Sequence, residues 1–385
     1  MSLLWLMGAA AAGGSAPPST QGELYGCGDN TYGQLGNGTT TTISTPVQVG
    51  ALDTWSDIAP ASYIFGTLVT TGAIRADNTL WTWGDASNGM NGRGDLLDVS
   101  SPVQVGALTD WSKVNAGRAI FQCIKTDGTL WAWGHNPYGN LGNIGAPVWT
   151  SSPVQIGVAT DYYSVSCGSY HNLSIKTDGT LWAWGSNNLG QLGTGANTPQ
   201  KIESPIQIGA LTDWAYVAAG TNVSFGVRTD GTLWAWGQNT NGQLGVGDST
   251  SRSSPTQIGA LTDWSKVETG PSATEVAHTI GLKTNGTIFT WGNAAFGQLG
   301  LGPVPGYKSS PVQVGAATDW SNVYCANRST FAYNAAGELW ATGNNASGMW
   351  GLGIAENNYD DLIKIADYPT FTKGSSAISS NLIIR

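Results

Sequence analysis

Short runs of alternating side chains recur along the chain, each closing on a glycine. In Thr129-Leu-Trp-Ala-Trp-Gly134, an extended backbone sends Trp131 and Trp133 to one side and Leu130 and Ala132 to the other. A period of two predicts a strand. Copies of this core begin at Leu24, Leu80, Leu130, Leu181, Leu233, Ile288 and Leu339, at intervals of 56, 50, 51, 52, 55 and 51 residues. A second element, Ser-Pro-Val-Gln-Ile-Gly or a close variant, starts at Thr45, Ser101, Ser152, Ser204, Ser254 and Ser310. A degenerate copy lies at Leu362-Ile-Lys-Ile-Ala366.

Each repeat predicts four strands. The first begins near Trp111, Trp214, Trp264 or Trp320, and the second runs into an Asp-Gly pair such as Asp127-Gly128, a strong hairpin signal. The Leu-Trp-Ala-Trp-Gly strand is third and Pro-Val-Gln-Ile fourth. Four-stranded units repeated about an axis make a β-propeller. With the bulky side of one sheet facing the small side of the next, such units stack closely.

The two ends complement each other. Leu382-Ile-Ile-Arg385 matches a second strand, and Thr20-Gln-Gly-Glu-Leu24 supplies the turn and third strand that should follow it. The expectation is an all-β, seven-bladed propeller over residues 20–385, closed by pairing of N- and C-terminal strands in one blade, with an apolar arm over residues 1–19. Closure removes the free sheet edges.

Composition agrees with many short strands. Of 385 residues, 54 are Gly, 18 are Trp and only 11% are charged. The net charge of −9 and the lack of any Lys/Arg cluster exclude a nucleic-acid footprint. Cys27, Cys123, Cys167 and Cys325 form no CxxC pair and read as small buried residues. The apolar start, Met1 to Ala16, is too short to span a bilayer and lacks a positive n-region.

The loop between third and fourth strands carries Asn30-Thr-Tyr-Gly-Gln-Leu-Gly-Asn-Gly38, Asn187-Asn-Leu-Gly-Gln-Leu-Gly-Thr-Gly195 and Asn239-Thr-Asn-Gly-Gln-Leu-Gly-Val-Gly247. Preceded by Trp-Gly, it resembles the repeat of the regulator of chromosome condensation family. The resemblance covers residues 20–385 and implies a seven-bladed propeller. The founding member exchanges guanine nucleotide on a small GTPase and docks on chromatin, using a projecting wedge and a basic tail that this sequence lacks. The family's recurring second-strand His stands here at His171 and His278, but Thr70, Ile120 and Val223 replace it elsewhere. Exchange activity is therefore not carried over. The string Ser2-Leu-Leu-Trp-Leu-Met-Gly-Ala-Ala10 also resembles the starts of some virion proteins of tailed phages of aquatic bacteria.

Strand alternation puts the first–second and third–fourth loops on one face, the variable face. The regular Gly-Ala-Leu-Thr-Asp connections and the chain ends share the other. Trp55 to Leu80 spans 25 residues and Trp264 to Ile288 spans 24, against 19 for Trp111 to Leu130, so extra residues are expected near Pro60–Tyr63 and Ser272–Glu275. Irregular loops on a rigid scaffold are where binding sits. Candidate interaction residues are Tyr63, Arg93, Asp95, Trp149, Glu275, Tyr307 and Tyr359, and candidate docking residues of the arm are Leu3, Leu4, Trp5, Leu6 and Met7. Arg93-Gly94-Asp95 reads as a turn rather than an adhesion tripeptide, and Glu356, Asp360 and Asp361 as solvated acids rather than a Ca²⁺ site.

The functional expectation is a non-enzymatic structural or binding module. No GxSxG, HExxH or phosphate loop opening a helix occurs, and no cofactor is implied. The leading form is a tailed-phage virion component, with other virion proteins or a host surface component as partners and a symmetric assembly on the particle. The alternative is a protein-interaction or guanine-nucleotide-exchange-like propeller of a bacterial or eukaryotic cell, cytoplasmic or secreted.

Overall fold

The computed structural model describes residues 22–384 except 51–53, 63–68, 271–276, 346–347, 353–357, 366–372 and 377–379. The chain is an all-β propeller. Among the described residues, the strands form seven four-stranded antiparallel sheets, six of them built from consecutive segments spanning 55–104, 111–155, 162–207, 214–257, 264–313 and 320–364. The remaining sheet takes strands from both ends of the chain, in the spatial order Ile43–Gln48, Leu24–Gly28, Ser380–Ile384 and Lys373–Ser376. There Leu24 pairs with Ile384 and Gly28 with Ser380. The first strand of each sheet touches the first strands of both neighbours, all the way round the axis.

Local chemistry sets each hairpin between second and third strands. Asp127 Oδ1 accepts from the Thr129 amide at 2.9 Å and from its hydroxyl at 2.7 Å, and the Trp131 indole N–H donates to that hydroxyl oxygen at 2.9 Å. Asp77, Asp178 and Asp230 repeat the brace. Gly128 holds a φ of +78°, and a Cβ there would overlap the Thr160 carbonyl in the connection to the next sheet. The turn therefore needs glycine for both conformation and space.

Neighbouring sheets pack bulky face to small face. Trp111, Phe121 and Trp133 share a core with Ala59, Ile74, Leu80 and Met90 of the preceding sheet. Leu130 and Ala132, on the other side, meet Tyr162, Val165 and Trp184 of the following one. The second tryptophan of the third strand, where the chain has one, also makes one bond across the interface. Trp83, Trp133, Trp184, Trp236 and Trp291 donate to the carbonyls of Gln34, Met90, Asn140, Gln191 and Gln243 at 2.9–3.1 Å. Where the chain lacks that Trp, smaller donors hold the place. Thr342 Oγ1 donates to the Gly297 carbonyl at 2.7 Å, and Cys27 Sγ donates to the Met349 carbonyl at 3.1 Å. Cys27 thereby joins the two-ended sheet to its predecessor.

The first strands are sheet edges around the axis, and side chains from the adjoining sheet satisfy their outward amides. Asp57 accepts from the Val114 amide at 3.0 Å, Asn115 from that of Cys167 at 2.9 Å and Ser166 from that of Ala219 at 2.9 Å. One expectation changes here. Pro60 and Ala61 belong to the eight-residue strand Trp55–Ser62 and not to a loop. An inner edge strand tolerates a proline because one side of its ladder is empty. The arm and the expected boundary at residue 19 lie outside the described residues.

Replacing Trp236 with Ala removes a fully buried indole and the donor to Gln191. The expected loss is about 3–5 kcal/mol of unfolding free energy, read by urea denaturation. A loss under about 1 kcal/mol would show that the interface does not depend on this contact.

A candidate interaction face

The Gly-rich loops are rigid at the base and varied at the tip. Asn187 Oδ1 accepts from the Leu192 amide at 3.3 Å, while Asn187 Nδ2 donates to the Ala196 carbonyl at 3.0 Å. Asn30 and Asn239 do the same work in their own loops. The last glycine of Gly-Gln-Leu-Gly lies against the indole of the next sheet. A Cβ on Gly36 would come within 2.6 Å of Trp83 Nε1. Beyond that anchor the loops reach solvent, where Ile144 is 76% and Val148 is 63% exposed.

The short first–second turns contribute a cluster at the 111–155 and 162–207 sheets. The Arg118 guanidinium lies 5.0 Å over the Tyr170 ring, and Tyr138 meets the same ring edge-on at 4.7 Å. His135 sits half-buried beside them. Burial, and then the charge of Arg118, hold its pKa below the ordinary histidine value. Arg328 stacks in the same way on Phe296 at 4.1 Å, at the turn of the 320–364 sheet. Residue-by-residue reading of the chain missed these groups, because the first–second turns do not vary in length at Arg118 and Tyr170. Their signal is a change of residue type: Tyr170 stands where Ala119, Asn222 and Arg328 stand in sister turns.

The candidates read from sequence fall into separate environments. Trp149 and Tyr307 begin outer strands and are 43% and 44% exposed. Arg93 is tucked inward, with its side chain only 8% exposed. It donates to the Leu97 carbonyl at 2.6 Å and pairs with Asp95 at 3.2 Å. The Leu97 amide, together with Arg93, holds the Asp95 carboxyl below the usual carboxylate range. The pair braces its own turn, so Arg93 is not an exposed contact residue. Tyr359 is half-buried: its ring packs 4.8 Å from Trp350, against the core of the 320–364 sheet. Tyr63, Glu275, Glu356, Leu3, Leu4, Trp5, Leu6 and Met7 lie outside the described residues.

His171 and His278 are fully buried at second-strand starts. His171 Nε2 lies 2.8 Å from Ser224 Oγ, and a Cβ on Gly168 would come within 2.6 Å of the imidazole. Desolvation pulls the His171 pKa down to about 3 and that of His278 to about 4. Both are packing elements. Among the described residues, no group of three or more His, Cys, Asp or Glu is placed to hold a metal ion, and no helix is long and apolar enough to cross a membrane.

One arrangement recurs on the opposite face. Lys125 Nζ lies 4.9 Å from the Trp111 ring centre and 4.3 Å from that of Trp131, with Asp110 at 3.2 Å. Lys176 and Lys283 repeat this with Asp161 and Asp263, and Arg228 is paired with Asp213.

The sequence pattern described as the RCC1-like domain matches residues 64–378, and that of the regulator of chromosome condensation (RCC1) repeat matches residues 21–63. The chain belongs to the RCC1-like domain family. Curated relatives include the ultraviolet-B receptor UVR8 of Arabidopsis thaliana, 27% identical over 75% of this chain and 65% of the receptor. The human E3 ubiquitin-protein ligase HERC2 is 26% identical over 74% of this chain but only 6% of its own length. This RCC1-like chain thus spans less than two thirds of either relative. Among solved structures, yeast RCC1 (Prp20) bound to Kap60 superposes with a TM-score of 0.79 at 18% identity, covering 98% of this chain and 95% of that one. Human WBSCR16 gives 0.79 at 21%, covering 94% and 98%. At these identities the superpositions show the fold.

The buried imidazoles of this RCC1-like chain make its stability acid-sensitive. Their folded pKa values lie below the unfolded value, so the contribution is complete above about pH 6.5 and is lost as pH falls from there toward the folded values. The urea midpoint is expected to fall between pH 7 and pH 4.5. Each His adds a slope of up to about 1.4 kcal/mol per pH unit. His171→Val, the residue type at the sister position 223, should flatten that slope. An unchanged slope would show that His171 does not titrate on unfolding.

Proposed function

We propose that this RCC1-like propeller is a seven-bladed ring, closed by its first and last strands, that serves as a non-catalytic protein-interaction module and receives its partner on the variable face. The supporting observation is the difference between the faces. Cations on the regular face are held by an Asp and one or two aromatic rings, repeat after repeat. The variable face instead offers Arg118 and Tyr138, both against the Tyr170 ring, and the exposed Trp149, Ile144 and Val148 of the same sheet and its loop. Exposed aromatic and Arg side chains of this kind dominate protein interfaces. The relatives point the same way: yeast Prp20 is described with binding properties to Gsp1p and histones, and a further solved structure holds it bound to Kap60. The virion reading rests on Ser2–Ala12, outside the described residues, so the interaction reading leads.

The test compares two faces of one scaffold. A complex recovered with the wild-type chain should weaken about tenfold or more when Arg118→Ala, Tyr138→Ser and Trp149→Ser are combined. Leu108→Ser with Leu211→Ser, on the regular face, should leave it within about twofold. The reverse pattern would move the site to the other face. Accelerated nucleotide release from a small GTPase would favour an exchange function instead.

A further inference from the structure

On the regular face, the last residue of the second strand pairs with the aromatic residue that opens the first. In five sheets it is a cation: Arg75, Lys125, Lys176, Arg228 or Lys283. Each lies over the first ring of the third strand, at 4.2–5.8 Å from its centre. In four of the five, the Asp just before the first strand supplies the counter-charge, as Asp110, Asp161, Asp213 and Asp263 do. Two rings and a carboxylate thus make a slot for a cation.

The 320–364 sheet keeps the slot and changes its occupant. Trp320 pairs with Asn334, which stands at the Lys125 position. Trp320 and Trp340 meet edge-on with centroids 5.8 Å apart, against 6.0 Å for Trp111 and Trp131. The backbone is the same: the Ala335 amide donates to the Asp319 carbonyl at 2.7 Å, as Thr126 does to Asp110 at 2.8 Å. Asp319 is therefore set where Asp110 is. Among the described residues, though, its exposed carboxylate has no ion-pair partner. The Asn334 amide turns to the hairpin, donating to Glu338 Oε2 at 2.8 Å and accepting from the Glu338 amide at 2.9 Å. It is shorter than Lys and carries no charge to offer Asp319. The first-strand ring is less covered as a result: Trp320 is 8% exposed, against 1–4% for Trp55, Trp111, Trp214 and Trp264. Lys364, opposite Trp340, is engaged by Glu338 at 2.7 Å.

We infer that Trp320, Trp340 and Asp319 form a binding site for an alkylammonium group from outside the chain, supplied by a partner's lysine side chain or by a small free amine. The rings attract the cation and Asp319 neutralises it, as the sister sheets do for their own Lys. The site lies on the regular face and is independent of the variable-face reading of function. A single slot of this kind binds weakly, with a Kd on the order of 1–10 mM.

Saturation-transfer NMR on the full chain, with n-butylammonium chloride at about 20 mM, should show transfer to the amine. Asn334→Lys places the sister residue in the slot and should abolish the transfer while leaving the circular-dichroism spectrum unchanged. Asp319→Asn should weaken binding about two- to fivefold. Butanol, similar in shape but uncharged, should give no transfer. Nα-acetyl-lysine methylamide distinguishes the sources: transfer to its side chain marks a partner's lysine, and transfer to n-butylammonium alone marks a free amine. No transfer to the amine in the wild type, transfer retained by Asn334→Lys, affinity unchanged in Asp319→Asn, or equal transfer to butanol would each overturn the assignment.

Discussion

The propeller depends on one contact made between every pair of neighbouring sheets: a side-chain donor in the third strand meets a loop carbonyl of the preceding sheet. Indoles supply five of these bonds and Thr342 and Cys27 the others. Each is worth only about 1 kcal/mol net, since both groups could bond water when apart. Its larger effect is on register. A buried carbonyl left without a donor costs more than the bond contributes, so a sheet cannot slide against its neighbour without penalty. The surrounding Trp, Phe and Leu contacts give the cohesion, and the polar contact fixes the alignment.

That constraint explains where the chain spends its glycines. The loop carbonyl reaches the indole only because the glycine two residues on, such as Gly36, has no Cβ to strike the ring. The hairpin glycine at 128 has a matching role on the opposite face, beside the Thr160 carbonyl. Replacing either with alanine would combine an unfavourable positive φ with a steric overlap. Cys27 marks the point where the two ends of the chain meet. Its buried thiol has a pKa raised to about 12 by desolvation, so it remains a neutral donor there.

With the scaffold fixed by repetition, function is left to the positions that repetition does not constrain. On the regular face Lys125, Lys176, Lys283 and Arg228 are each held by an Asp and at least one aromatic ring. Such groups are already committed and have little to offer a partner. The variable face keeps its loop bases rigid through the Asn30, Asn187 and Asn239 networks, while the tips carry different side chains in every sheet. A pre-formed platform of this kind lowers the ordering cost of binding.

Much of this architecture was legible in the residues. The period near 50, the Asp-Gly hairpins, the strand order within each sheet and the complementary ends follow from local rules that depend on neighbours in sequence. The glycine positions are visible for the same reason. The interaction surface was legible only in part. Arg118, Tyr170 and Tyr138 come from two sheets, and no spacing in the chain announces that their rings meet. Arg93 reads as an exposed cation until the fold turns it onto Leu97 and Asp95, and Tyr359 as a loop residue until strand pairing sets it half-buried against Trp350. Backbone hydrogen bonding and side-chain period are local and so determined by sequence. Which side chains share solvent, stack or pair across sheets is decided by the stacking of distant segments, and only the tertiary structure contains that information.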